Sequence, residues 1–123
     1  MIPTVLQVAL GGAIGAAARY GVGVALFRPG AFPLGVLAVN IIGSFLIGLI
    51  VVYLGQKMLA QLNPFLMTGI LGGFTTFSAF SLEAYTLFER GEITQAAIYV
   101  ALSVILSIAA LVLGIFIMRG LLA

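Results

Sequence analysis

"GGFTTFSAFS" occupies residues Gly72 to Ser81 and lies inside an otherwise apolar run that begins near Pro64. Two glycines at its head loosen the backbone. Four hydroxyls follow, on Thr75, Thr76, Ser78 and Ser81, interleaved with Phe74, Phe77 and Phe80, and no charge stands among them. With Gly69 just upstream, this pattern predicts a helix interrupted near its middle. At membrane depth a broken helix survives only where its freed N–H and C=O groups are buried in protein or line a cavity. Freed carbonyls suit a cation; freed N–H groups and hydroxyls suit an anion. Phe77 and Phe80 are three apart and share a helical face. Packing or lipid contact is the ordinary role of such rings, but a phenyl edge is electropositive and two edges suit a small bare anion.

The rest of the chain makes the membrane setting nearly obligatory. Of 123 residues, 63% are hydrophobic and 7% charged, too few charges to cover a soluble domain of this size. Apolar runs fall at about residues 5–27, 34–54, 64–88 and 96–118. Each is near the roughly 20 residues that a helix needs to cross hydrocarbon. Short connectors, "RPGAFP" (28–33), "GQKMLAQLN" (55–63) and "ERGEIT" (89–94), hold the turn formers and most charges. Asn63 before Pro64 is a good helix start. The expected fold is therefore an all-α membrane unit, residues 1–123 as one domain of four antiparallel neighbouring spans, with a break in the third. The first span has no leading basic cluster and is expected to be retained rather than cleaved. With no Cys and no His, disulfides and thiolate metal sites are excluded, and no nucleophile–base pair suggests an enzyme. Five scattered basic residues make no nucleic-acid surface.

Charge also bears on orientation. Lys57 and Arg119 fall on the side of both termini, Arg28 and Arg90 on the other, and Arg19 inside a span. A two-against-two tie gives the insertion machinery no preference. Insertion both ways, with opposite copies pairing as an antiparallel homodimer, fits this tie; so does a weakly biased single topology.

Helix faces carry further signals. Gly11 and Gly15, with Gly12 and Ala16 beside them, show the spacing of close helix packing. Asn40, Ser44 and Gly48 recur every four residues on the second span, and Tyr99, Ser103 and Ser107 do so on the fourth, giving a hydroxyl track. An amide in hydrocarbon needs partners or water, so Asn40 is either glue between helices or part of a wet cavity. Arg19 stands about fourteen residues into the first span, roughly 20 Å at 1.5 Å per residue. It is within reach of the far interface as an anchor, or forms an anion-attracting vestibule. Glu83 is the one carboxylate well inside a span; pairing with Arg19, facing an aqueous mouth and assisting a transported ion are all compatible with its position.

Two stretches, "GVLAVNIIGSFLIG" (35–48) and "GILGGFTTFSAFSLE" (69–83), resemble the signature segments of the Fluc, or CrcB, fluoride channels, and the likeness extends over the whole chain. The resemblance implies an antiparallel, dual-topology homodimer with two fluoride pores in the plasma (inner) membrane of a prokaryote. It assigns the fluoride pathway to Asn40, Phe77, Phe80, Tyr99, Ser103 and Ser107, with Thr76, Ser81 and Glu83 from the motif, and the vestibule to Arg19. It also implies a structural sodium ion at the dimer interface, held by the backbone carbonyls of Gly72 and Thr75. Two departures are noted: Val36 where many members carry Thr, and Ala79 where TTFSTFS is usual.

Such donors replace the water of a strongly hydrated anion without a full charge to trap it, strong enough for entry and weak enough for exit. Fluoride that enters as neutral HF and ionises inside is driven out by an inside-negative potential, by about 2.3 kcal/mol per 100 mV. The alternative is a small multidrug-type, proton-coupled four-helix exporter. That mechanism needs a carboxylate near the middle of a span, and Glu83 is off-centre.

Overall fold

The computed structural model describes residues 2–30 and 32–123 and is all-helical. Helix α1 runs Thr4–Ala25 and α2 Leu34–Gln56, each started after a proline, Pro3 and Pro33. A short 3-10 turn, Ala60–Leu62, leads to the third span. That span is composite: a π-helical segment Pro64–Leu71, a single α-turn α3 (Gly72–Phe74), two extended residues, and α4 (Phe77–Glu89). Helix α5 covers Ile93–Leu122 and carries Arg119 in its last turn, where a cation complements the helix dipole. Among the described residues, four helical stretches, Thr4–Ala25, Leu34–Gln56, Ala60–Glu89 and Ile93–Leu122, are long and apolar enough to cross a bilayer. The protein is a multi-pass membrane protein with a broken third span.

Glycine sets how close the helices come. A Cβ on Gly11 would lie 2.9 Å from Gly69 Cα, and one on Gly15 would run into the Ile70 carbonyl and lie 2.8 Å from the Phe74 amide. The small face of α1 thus lies directly on the backbone of the first half of the third span. Helix α2 shares its most extensive interface with α5. There Gly48 and Gly114 oppose each other, a Cβ on Gly114 standing 3.2 Å from Gly48 Cα. Backbones that approach this closely gain dispersion contacts, the main source of helix association where there is no water to exclude. The buried core, Leu37, Phe80, Leu87, Ala96 and Tyr99, joins α2, α4 and α5 at one end of the bundle.

Candidate ion pathway

The interruption falls on two β-branched residues rather than on the glycines. Thr75 (φ −88°, ψ 159°) and Thr76 (φ −153°, ψ 123°) are extended, a conformation that branched side chains accept readily. The glycines before them are used for packing instead: a Cβ on Gly73 would lie 2.8 Å from the Gly12 carbonyl oxygen.

Several of the backbone groups released at the break are redirected. In an unbroken helix the Thr76 amide would close onto the Gly72 carbonyl. Here it donates to Asn40 Oδ1 at 2.8 Å, while Asn40 Nδ2 donates to the Thr76 carbonyl at 3.0 Å. One side-chain amide on α2 therefore holds both polar groups of one residue, as a neighbouring strand would. The Ala79 amide, which would otherwise reach the Thr75 carbonyl, donates to Thr76 Oγ1 at 3.1 Å and so caps α4. The Gly73 carbonyl accepts from Arg19 Nε at 3.1 Å. Thr75 Oγ1 turns back to the Leu71 carbonyl at 3.0 Å. These diversions leave the Gly72 and Thr75 carbonyls without their helical donors.

Around the break lies an open groove of about 350 Å³, lined by Asn40, Thr76, Phe77, Phe80, Ser103 and Ser107, together with Ser44 and Thr75. The hydroxyls of Ser103 and Ser107 are buried and have no hydrogen-bond partner, although a serine in a helix ordinarily satisfies itself on the preceding turn. Asn40 spends its oxygen and one N–H on Thr76 and keeps one N–H, since a primary amide carries two donors. Phe77 is 77% exposed and Phe80 only 8%; their ring centroids are 5.3 Å apart and the rings are tilted by 60°. The groove is thus lined by uncharged polar residues and two phenyl rings, with the N-terminus of α4, where the helix dipole is positive, at its side.

Three of the sequence-derived residues stand elsewhere. Tyr99 is fully buried behind Phe80, with ring centroids 5.4 Å apart, and its hydroxyl is unpartnered. Ser81 is outside the groove, its hydroxyl donating to the Phe77 carbonyl at 3.0 Å. Glu83 lines a second cavity of about 360 Å³ together with Arg19, Val36 and Ala79, and a third of about 320 Å³ between the 28–33 connector and Arg90. Its Oε2 is buried without a hydrogen bond, so the two charges share a cavity without being joined. Val36 and Ala79, the two departures, both line that cavity and not the groove. Phe32 was not marked by the sequence at all: it packs edge-on against Tyr99 at 5.5 Å and 79°.

Known proteins are similar to this chain in sequence along its length. The family described as CrcB-like protein, Camphor Resistance (CrcB), matches residues 6–115. The fluoride-specific ion channel FluC of Ruegeria sp. (strain TM1040) is 62% identical over 125 residues, covering 99% of both chains. That of Cereibacter sphaeroides (strain ATCC 17029 / ATH 2.4.9) is 58% identical over 123 residues, covering 98% of both. FluC of Rhizobium johnstonii (strain DSM 114642 / LMG 32736 / 3841) is 52% identical over 125 residues, covering 98% of this chain and 99% of the relative. With a family match spanning all four spans and relatives alike from end to end, the chain belongs to the CrcB family.

Proposed function

We propose that the protein is a fluoride-selective channel, through which fluoride leaves the cytoplasm passively. The observation that carries this reading is the groove at the break. Asn40 pins Thr76 in an extended conformation, and this places Phe77 and Phe80 opposite the unpartnered hydroxyls of Ser103 and Ser107. Neutral donors in this number replace a hydration shell without creating a trap. The fluoride channels among its relatives support the same reading. The pathway runs from Asn40, Thr76, Phe77 and Phe80 along Ser103 and Ser107 to Tyr99 and Glu83, with Arg19 in the vestibule and Ser81 holding the α4 backbone beside it. The channel uses no covalent chemistry and is no enzyme.

The working unit is an antiparallel, dual-topology homodimer in the inner membrane of a prokaryote. Support comes from the charge tie between the two sides and from the open groove, in which the Phe77 ring is left 77% exposed. A structural sodium ion at the dimer interface fits the Gly72 and Thr75 carbonyls, whose helical donors go to Asn40 and Thr76. Unwound carbonyls are the usual ligands of Na⁺ at membrane depth. Bound there, the ion would take up carbonyl oxygens that have lost their helical donors.

The test is fluoride efflux from liposomes that contain only this protein, with chloride as control. Fast fluoride loss is expected, and Phe80→Ile, which keeps apolar bulk and removes the ring edge, lowers it at least tenfold. Wild-type fluoride loss no faster than chloride loss excludes the channel.

A further inference from the structure

Four aromatic rings form a continuous series across the core. Phe77 contacts Phe80 at 5.3 Å, Phe80 contacts Tyr99 at 5.4 Å, and Tyr99 contacts Phe32 at 5.5 Å. The two ends of the series open on different spaces. Phe77 and Phe80 line the groove with Asn40 and Ser103. Phe32 lines the cavity at the connector end, with Glu83, Thr86, Arg28 and Arg90. Between them Tyr99 is fully buried, so the ring series reaches from one space to the other.

From this geometry we infer that Phe32 is a further pathway residue, the ring that an anion passes last between the Tyr99 hydroxyl and the connector cavity. The inference rests on the fluoride-channel reading and extends it. An anion that leaves the groove along Ser103 reaches Tyr99, whose hydroxyl makes no well-formed hydrogen bond and lies beside the Glu83 carboxylate, and the space beyond it is the one that Phe32 borders. The Phe32–Tyr99 pair is close to perpendicular, at 79°, which is the arrangement that turns a positive ring edge toward its neighbour. Phe32 sits between Gly30, which has a positive φ of 71°, and Pro33. Its place is therefore set by a tight connector and by Tyr99, not by a helix of its own.

The chain has no cysteine, which permits a direct test after folding. Phe32→Cys is reconstituted in liposomes and treated with a small charged methanethiosulfonate. Phe27→Cys, which borders the same cavity on an exposed side chain, serves as control. Fluoride efflux through modified Phe32→Cys is expected to fall at least tenfold below its own unmodified rate, with no loss at Phe27→Cys. Complete modification of Phe32→Cys with unchanged efflux overturns the inference, as does its protection from the reagent in a conducting protein. Should Phe32→Cys not conduct before treatment, Phe32→Leu decides: a tenfold loss with the parent's size-exclusion profile supports the role, and a rate within twofold of the parent overturns it. Wild-type efflux measured alongside separates these outcomes from failure of the channel reading itself, which would leave no fluoride flux to block.

Discussion

Asn40 holds Thr76 by its N–H and its C=O at once, and this fixes what its replacement should do. Asn40→Ala strands two backbone groups at membrane depth. At about 1–3 kcal/mol for each group left unpaired, the expected loss is about 2–6 kcal/mol, read as a lower unfolding temperature in detergent together with loss of fluoride flux. Asn40→Asp separates the two effects. Its carboxylate still accepts from the Thr76 amide but cannot donate to the carbonyl, and it brings negative charge to an anion groove. Flux should fall further than stability. Arg19 is held in a comparable way by one bond to the Gly73 carbonyl. Lysine keeps the charge but lacks the planar, fixed donor, so Arg19→Lys should weaken the protein by up to about 1.5–3 kcal/mol, the range for a bond to a charged group. If Arg19 acted only as a vestibule charge, Arg19→Lys would melt and conduct like the parent.

Among the elements, the third span depends on what surrounds it. Its first half is laid against the glycine face of α1, and substitutions there have an order that can be checked. A methyl on Gly15 meets the Ile70 carbonyl oxygen, part of a backbone that cannot step aside, whereas a methyl on Gly21 meets nothing within 4 Å. Gly15→Ala should cost about 1–3 kcal/mol, as overpacking does. Gly21→Ala should be neutral or gain up to about 1 kcal/mol from helix propensity. Equal unfolding temperatures for the two variants would refute the packing account. Gly43 is different again: its Cβ would press on the Thr75 methyl and lie 3.3 Å from the Phe74 ring, which are side-chain atoms at the break itself. Gly43→Ala should therefore shift the break, and lower fluoride flux more than it lowers stability.

For the whole molecule, the tied charges make a prediction about insertion. Adding Gln56→Lys and Gln61→Lys to the 55–63 connector tips the count toward one orientation. Adding Thr94→Lys and Gln95→Lys near the other connector tips it the other way. Each double variant expressed alone should place a C-terminal reporter on one side of the membrane and show little fluoride flux. Coexpression should restore the flux. Full flux from either variant alone, with its reporter on one side, would remove the antiparallel dimer.

Much of this was legible in the residues because the bilayer leaves the chain few choices. Apolar runs of spanning length, turn formers between them and glycines spaced by four can hardly mean anything but close-packed membrane helices. Hydroxyls beside glycines inside such a run announced a break; of the stripe Tyr99, Ser103 and Ser107, the two serines line the groove and Tyr99 is buried behind it. What tertiary structure alone decided is where the freed groups go. The break sits on Thr75 and Thr76 because Asn40 of α2, distant in sequence, takes both the amide and the carbonyl bond of Thr76, while Arg19 of α1 takes the Gly73 carbonyl just before it. Nothing in the residue pattern marks the π-helical winding of Pro64–Leu71, or Phe32 against Tyr99. Periodicity records which face of a helix is polar, since that depends on neighbours along the same helix. The partner of each polar group depends on how separate helices meet, and no local spacing encodes it.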